Sequence, residues 1–197
     1  MARVSIWQVR SSDSKAAAAS AINGVQLTPI EVYTDRRGSF AEVFVTDPHT
    51  GIEPLQWSVV TSEPGVLRGM HLHAHHDEYF SVISGRATVG LYDLRPESPT
   101  SGVSATYELC GETPSRLIFP RGLVHGWLFH EPTVHLQAVS EPHHRYRTDD
   151  NEGCHWADPD LGISWPFEPA ILSDRAAAFA TLAELRAAFA ISEPLTS

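Results

Sequence analysis

The stretch that decides the fold runs from Gly65 to Gly85 and reads GVLRGMHLHAHHDEYFSVISG. It contains a pair of histidines two positions apart, His71 and His73, and an acidic residue, Glu78, at the start of the next apolar run. On a β-strand, residues at the spacing of the two histidines project from the same face, so their imidazoles would lie side by side. Two imidazoles and a carboxylate from adjacent strands would form either a divalent metal site or an acid/base cluster.

Bulk composition narrows the classes of function. The chain has 197 residues, enough for one domain with a sizeable core, and its formal net charge is −10 at pH 7. This charge argues against nucleic-acid partners and anionic membrane surfaces, and no apolar run is long enough to span a bilayer. The two cysteines, Cys110 and Cys154, are too few for a disulfide framework. We expect a cytoplasmic protein that uses no organic cofactor.

Short apolar runs separated by turn residues fill most of the chain. They predict strands at Val25–Tyr33, Ser39–Thr46, Leu55–Thr61, Val66–His73, Glu78–Ser84, Ala87–Leu94, Ser104–Leu109, Ser115–Phe119, His125–Phe129 and Val134–Ser140. This pattern indicates an all-β antiparallel sandwich or barrel, with a helical tail at Thr181–Ala190. We expect an N-terminal arm at 1–24 with a short helix over 15–21, one domain at 25–180, and a C-terminal helix and tail at 181–197.

The sequence resembles both metal-binding signatures of the cupin superfamily. The matching residues are Gly65, His71, His73, Glu78 and Gly85 in the first signature, and Pro120, Gly122 and His125 in the second. The resemblance implies a cupin jelly roll, or double-stranded β-helix, with one divalent ion (Zn, Fe, Mn, Co or Ni) held by the three histidines and the glutamate. The competing interpretation is a polar pocket in which these groups hydrogen-bond to one another or to a substrate. His75 and His76 fall in the predicted turn, where we expect solvated side chains.

A second resemblance covers about 25–179 and is to the dTDP-4-dehydrorhamnose 3,5-epimerase family. The similar stretches are 35–44 (DRRGSFAEVF), 65–71 (GVLRGMH), 93–100 (DLRPESPT), 119–126 (FPRGLVHG), 152–159, 163–166 (ISWP) and 172–175 (LSDR). The resemblance implies a cupin-type jelly roll, a homodimer, and a nucleotide-linked 4-keto sugar as substrate. The implied chemistry is removal of a proton next to a ketone and its return to the other face.

The same resemblance implies roles for individual residues. His71 matches the catalytic base, and Arg68 matches a residue that contacts the diphosphate. Because Arg68 stands in an apolar run, we expect it to need an acidic partner or a ligand. Further residues expected at the substrate pocket are Arg37, Phe40, Glu42, Gln56, His125 and Gln137. The first three lie in the segment that helps to hold the nucleotide, often across the dimer.

Three catalytic positions depart from the family pattern. The lysine that stabilises the enolate falls at Glu78, the tyrosine acid falls near Gln137, and the aspartate that orients the base falls at Ala176. A carboxylate beside a developing enolate would oppose the reaction unless a cation sits there. We therefore hypothesise that a metal ion takes over the electrostatic role of the lysine.

A metal-bound His71 could not also be the free base. Other groups would then transfer the proton, and the candidates are Tyr79, His76, His135 and Tyr146. Three functions stay open at this point: a nucleotide-sugar epimerase or isomerase, a metal-dependent cupin oxygenase, lyase or isomerase on another small substrate, and a catalytically silent sugar-nucleotide binder.

Overall fold

The computed structural model describes residues 8–10, 21–46, 51–146, 150 and 152–192. Most of the expected N-terminal arm, including nearly all of the helix predicted over 15–21, lies outside these residues, but Gln8–Arg10 forms strand β1. Within the described ranges, no helix is long and apolar enough to cross a membrane. The cytoplasmic location stays a prediction.

Two five-stranded antiparallel sheets form the body of the molecule. In spatial order, the first sheet contains β2 (Gln26–Pro29), β10 (Ser115–Phe119), β7 (Glu78–Ser84), β12 (Thr133–Val139) and β5 (Gln56–Ser62). The second contains β13 (Glu152–Gly153), β6 (Leu67–Leu72), β11 (Leu123–Phe129), β8 (Arg86–Asp93) and β9 (Ser104–Cys110). The all-β jelly roll expected from the sequence is confirmed.

A smaller sheet lies apart from these two. It consists of β1, β3 (Val32–Asp35) and β4 (Gly38–Ala41), and the last two form a tight hairpin. The strand predicted at Ser39–Thr46 therefore ends at Ala41, and that prediction was too long by five residues.

The hydrophobic core lies between the two large sheets and follows from strand alternation. On β7, Phe80 and Val82 point into this core together with Trp127 and Phe129 of β11. Because alternate residues share a face, Glu78 at the start of β7 points the same way as Phe80. A carboxylate therefore enters the space between the sheets.

The helical elements of the described residues are α1 (His143–Tyr146), a 3₁₀ turn (Pro159–Leu161), α2 (Asp174–Ala177) and α3 (Leu182–Ser192). α1 contacts Gln56 of β5 in the first sheet, whereas α2 and α3 contact β6 and β13 of the second sheet. The helix predicted over 181–190 is α3. Its Leu182, Leu185 and Phe189 form one cluster with Met70 and Leu72 of β6. The outer face of β6 is thus occupied by apolar packing, which leaves His71 for the inner face.

Candidate active site

Histidines from neighbouring strands meet between the two sheets. β6 and β11 pair so that His71 lies opposite His125, with ring centroids 6.0 Å apart. His73 lies just beyond β6, and its ring is 6.2 Å from that of His71 and 5.1 Å from that of His125. Nitrogen atoms of the three rings lie within 4.8 Å of one another. The structure thus brings together His71 and His73, which strand spacing pairs, and His125, which the cupin resemblance implies.

Gly69 allows β6 to approach β11 closely beside this cluster. A Cβ at Gly69 would lie 2.6 Å from the Cα of Gly126 and 2.6 Å from the carbonyl oxygen of His125. The backbone also has φ of +119° there, which side-chain-bearing residues rarely adopt. A residue without a side chain is therefore needed where the two histidine-bearing strands pair.

Glu78 reaches the histidines from the opposite sheet. Its side chain is 1% exposed, and Oε1 lies 3.1 Å from Nε2 of His73, 3.3 Å from Nε2 of His125 and 3.6 Å from Nε2 of His76. Nε2 of Gln137 donates a hydrogen bond to the other oxygen, Oε2, at 3.2 Å. One carboxylate oxygen thus faces three imidazole nitrogens, and the other is held by a neutral amide.

The far nitrogen of each of these three rings is held by an oxygen atom. Nδ1 of His73 lies 2.6 Å from the carbonyl oxygen of Asp150, and Nδ1 of His125 lies 3.0 Å from that of Leu123. Nδ1 of His76 lies 2.9 Å from Oδ2 of Asp150. A carbonyl oxygen only accepts, so Nδ1 of His73 and His125 carries the proton in the neutral ring. Their Nε2 atoms then face Glu78.

Asp150 also fixes the turn that carries these histidines. Its carboxylate accepts hydrogen bonds from the backbone N–H of Ala74 and of His75, the latter at 3.0 Å. The turn between β6 and β7 is thereby tied to a segment that is distant in sequence. His75 is exposed as expected, whereas the prediction that His76 is solvated was wrong, because Asp150 and Glu78 enclose its ring.

Electrostatics keep both carboxylates ionised. Burial alone would raise the pKa of Glu78, but attraction to His125, His73 and His76 holds it well below its usual range. Burial likewise opposes ionisation of Asp150, yet hydrogen bonds from His76, Ala74 and His75 lower its pKa. The two carboxylates outweigh the burial of His76 and raise its pKa to about 9. A positive charge between Glu78 and Asp150 is therefore strongly favoured.

His71 differs from the other three histidines. Burial, together with the nearby His125 and His73, lowers the pKa of its imidazole to about 3, so the ring is neutral at physiological pH. Its edge meets the ring of Phe179 at a centroid distance of 5.9 Å. Among the described residues, no carboxylate hydrogen-bonds to His71, which agrees with an alanine, Ala176, at the position expected for an orienting aspartate.

His135 lies deeper between the sheets than the cluster. It is fully buried and stacks on Phe129 at 5.3 Å, with Phe80 and Trp127 as further ring neighbours. Neither ring nitrogen makes a hydrogen bond, and burial lowers its pKa to about 4. Its role in proton transfer stays a prediction.

Two expected substrate-binding residues have partners of their own. Arg68 is exposed, and its guanidinium donates to Oγ of Ser62 at 3.0 Å and to the carbonyl oxygen of Thr61 at 3.1 Å. Neither of these partners is acidic, and because the cation is exposed the fold does not require an acidic one. The ligand expected as the alternative stays a prediction. Gln56 accepts a hydrogen bond from the backbone N–H of His143 at 2.9 Å.

The other expected residues are spread more widely. Arg37, Phe40 and Glu42 are exposed on or beside the small sheet, where Arg37 pairs with Asp35 at 2.7 Å. Tyr79 points away from Glu78 and donates to the carbonyl oxygen of Val43 at 2.6 Å, so it cannot serve as a proton donor in this cluster. The side chain of Tyr146, at the end of α1, lies outside the described residues.

Sequence reasoning missed one residue of the cluster altogether. Asp150 stands in an ordinary-looking polar segment, about 75 residues beyond the histidines that it contacts. No local pattern distinguishes it from its neighbour Asp149, since only the tertiary contact gives it a role.

Comparisons with known proteins agree with this architecture. The family model for dTDP-4-dehydrorhamnose 3,5-epimerase matches residues 19–184. A spore coat polysaccharide biosynthesis protein from Bacillus subtilis is 31% identical over 149 residues, covering 75% of this chain and 98% of that protein. A dTDP-4-dehydrorhamnose 3,5-epimerase from Methanothermobacter thermautotrophicus is 32% identical over 157 residues, and the match covers 76% of this chain and 83% of that protein.

Solved structures of related proteins are similar to this chain over most of their length. The rmlC epimerase from Mycobacterium tuberculosis superposes with a TM-score of 0.80 at 26% identity, covering 88% of this chain and 92% of that one. A dTDP-6-deoxy-D-glucose-3,5-epimerase from Legionella pneumophila was solved with dTDP-4-keto-L-rhamnose. It superposes with a TM-score of 0.78 at 26% identity, and the match covers 85% of this chain and 93% of that one. Fold and site define a cupin-type jelly-roll protein. Within that class, the chain belongs to the dTDP-4-dehydrorhamnose 3,5-epimerase family, a family of isomerases.

Proposed function

We propose that the protein is an epimerase that inverts a carbon atom next to the ketone of a dTDP-linked keto sugar. The observation that carries the proposal is His71, a neutral imidazole at the family's base position on the inner face of β6. Related structures that contain dTDP or a dTDP-sugar support the choice of nucleotide.

The reaction needs a base and a stabilised enolate. His71 accepts the proton from the carbon next to the ketone, and the negative charge moves to the ketone oxygen. Return of a proton to the opposite face of the same carbon completes the inversion, with no net oxidation. Tyr146 is the proposed proton donor, because its phenol carries an acidic proton whereas a buried, neutral His135 does not. A positive charge near the oxygen lowers the barrier.

Arg68 is the proposed contact for the diphosphate. It is an exposed cation on the same strand as His71, three residues earlier. The fork-shaped guanidinium suits the paired oxygens of a phosphate group. Arg37, Phe40 and Glu42 would contribute nucleotide contacts from the small sheet.

A homodimer is part of the proposal. β5 is an edge strand of the first sheet, and two of its side chains are exposed apolar groups, Trp57 at 41% and Val59 at 70%. Contiguous exposed apolar surface on an unpaired edge strand is typical of an association surface. A second copy of the chain, as in the family's implied assembly, would cover it.

The test is product analysis with a dTDP-4-keto-6-deoxyhexose as substrate. The wild type is expected to convert it to an epimer detectable by NMR, and His71→Asn is expected to lose conversion at least 100-fold because the base is absent. His75→Asn, an exposed histidine in the adjacent turn, is the matched control and should retain full activity.

Two outcomes would contradict the proposal. Nucleotide-sugar binding without epimerisation for several dTDP- and GDP-linked 4-keto sugars would indicate a silent binder. Full activity of His71→Asn would show that another group removes the proton.

A further inference from the structure

We propose that the buried cluster is a divalent transition-metal site whose ligands are His73, His76, Glu78 and His125, and that His71 lies outside the coordination shell. This assignment differs from the set implied by the cupin resemblance, in which His71 takes the place of His76. The metal site rests on geometry alone, and only the role left to His71 rests on the proposed function.

The separations between the Glu78 carboxylate and the three imidazoles fit a shared ion. Oε1 of Glu78 lies 3.1, 3.3 and 3.6 Å from the Nε2 atoms of His73, His125 and His76. With metal–ligand distances of about 2.1 Å, neighbouring donors lie about 3.0 Å apart in an octahedral site and about 3.4 Å apart in a tetrahedral one. The observed separations span these values.

The three imidazole rings are also oriented so that their Nε2 atoms can bind one ion. The Nδ1 atoms of His73, His76 and His125 are each held by an oxygen atom, two by backbone carbonyls and one by the carboxylate of Asp150. Metal-binding histidines are typically held in this way through the nitrogen that does not bind the ion. The arrangement leaves three Nε2 atoms directed at one carboxylate oxygen.

The charge balance favours a cation. Oε1 of Glu78 and Nε2 of His125 are buried and make no hydrogen bond, although they lie 3.3 Å apart. Without an ion, His76 compensates this carboxylate, because its ring lies against both Glu78 and Asp150. A divalent ion bound by the Nε2 atoms would take over that role. A divalent ion with three neutral imidazoles and Glu78 carries a net charge of +1, which Asp150 offsets.

His71 is the histidine least suited to this set. Glu78 lies within 4.0 Å of the other three rings, but no such contact joins it to His71. A nitrogen atom of His71 does lie within 4.8 Å of nitrogen atoms of His73 and His125, so the missing contact with Glu78 is what distinguishes this histidine. Exclusion from the shell leaves His71 available as the base.

Three imidazoles and one carboxylate suit borderline divalent ions such as Zn²⁺, Fe²⁺, Mn²⁺, Co²⁺ or Ni²⁺ rather than Mg²⁺ or Ca²⁺. When bound, such an ion supplies the positive charge that polarises a substrate oxygen. Every proton transfer in the proposed reaction stays with side chains of the protein.

Metal content and affinity test the site directly. Full-length protein is purified without a nickel column, stripped with a chelator, and titrated by calorimetry with each of the five ions in turn, with Mg²⁺ as a negative control. Wild type is expected to bind about one ion per chain of at least one of the five, and to show a higher melting temperature when loaded. The Co²⁺ form should show ligand-field absorption, which is independent of enzyme activity.

Four variants assign the ligands. His76→Asn and Glu78→Gln are expected to weaken binding at least 100-fold, whereas His71→Asn and the exposed control His75→Asn should bind within 3-fold of wild type. Circular dichroism verifies that each metal-free variant is folded. If a variant does not fold, the titration of the wild type still tests whether the metal site exists. A wild type that binds none of the five ions stoichiometrically would overturn the site. A loss for His71→Asn as large as that for His76→Asn would overturn the ligand assignment.

The result is separable from the proposed function. Epimerisation by a protein that binds no metal would defeat the metal site alone. Metal binding without epimerisation would defeat the proposed substrate and leave the site standing.

Discussion

At the scale of single residues, Glu78 and Gln137 are the informative pair. The family resemblance assigns a lysine and a tyrosine to these positions, and the two residues found there are in hydrogen-bond contact. An amide donates to a carboxylate as readily as other neutral donors, so the two departures are chemically compatible with each other. Because this chain has Glu78 where the family pattern has a lysine, a carboxylate faces His73, His76 and His125.

Arg68→Ala tests the diphosphate contact. The exposed guanidinium contributes only surface hydrogen bonds to the fold, so we expect little change in stability. Loss of a charge-assisted contact should raise KM for the nucleotide sugar by about 10- to 100-fold, with kcat nearly unchanged. Steady-state kinetics measure both, and an unchanged KM would place the diphosphate elsewhere.

Asp93 controls stability at acid pH. It is fully buried, and its carboxylate accepts hydrogen bonds from Arg95 Nε and Nη2, both at 2.8 Å, and from Ser98 and Thr100. Burial alone would raise the pKa of Asp93, but these partners hold it below its ordinary value. The resulting stabilisation is present above the unfolded-state pKa of about 3.9 and is lost as the pH falls through the lower folded-state value.

Asp93→Asn should therefore lower the free energy of unfolding by about 3 kcal/mol at pH 7, because Arg95 loses its buried partner. The difference from wild type should shrink below a pH of about 4. Urea denaturation at several pH values measures it. Glu97→Gln, an exposed position in the same loop, is the control, and an equal loss there would contradict the account.

At the scale of elements, the close pairing of β6 with β11 brings the site together. Gly69→Ala would place a Cβ 2.6 Å from the backbone of β11 at a φ of +119°. The variant should lose about 2–4 kcal/mol of stability and also weaken metal binding, because Gly69 pairs with Gly126, next to the proposed ligand His125.

Gly38→Ala is the matched control for that variant. Its φ of +131° is similarly unfavourable, but nothing lies within 4 Å of its added Cβ. It should therefore show only the backbone penalty of about 1 kcal/mol. Chemical denaturation of both proteins measures the difference, and equal losses would mean that contact with β11 is unimportant.

Elements and site were predictable from the sequence to different degrees. Strands that are apolar runs bounded by turn residues, such as Glu78–Ser84 and Ser115–Phe119, were predicted to the residue, whereas β1 and β13 have three and two residues and carry too little pattern to detect. His71 and His73 were paired by their spacing, because strand periodicity fixes the face that each occupies. His125 was implied by the cupin resemblance. His76 was misjudged, since its burial depends on Asp150 from a distant segment.

At the scale of the whole molecule, the exposed outer face of β5 bears on assembly. Val59→Lys places a charge in the apolar surface formed with Trp57, so we expect it to convert a dimer to a monomer. Light scattering coupled to size-exclusion chromatography gives the mass. Ile171→Lys adds the same charge at another exposed apolar position and should leave the dimer intact. A monomeric wild type would contradict the proposed assembly.

In the proposed reaction, His71 exchanges the proton next to the ketone of a nucleotide-linked sugar. The most direct measurement follows that carbon by NMR in D₂O, with a dTDP-4-keto-6-deoxyhexose and either the wild type or His71→Asn. The account predicts that the wild type replaces the proton by deuterium and that the variant does so at least 100-fold more slowly. Absence of exchange with the wild type, or exchange at equal rates in both proteins, would contradict it.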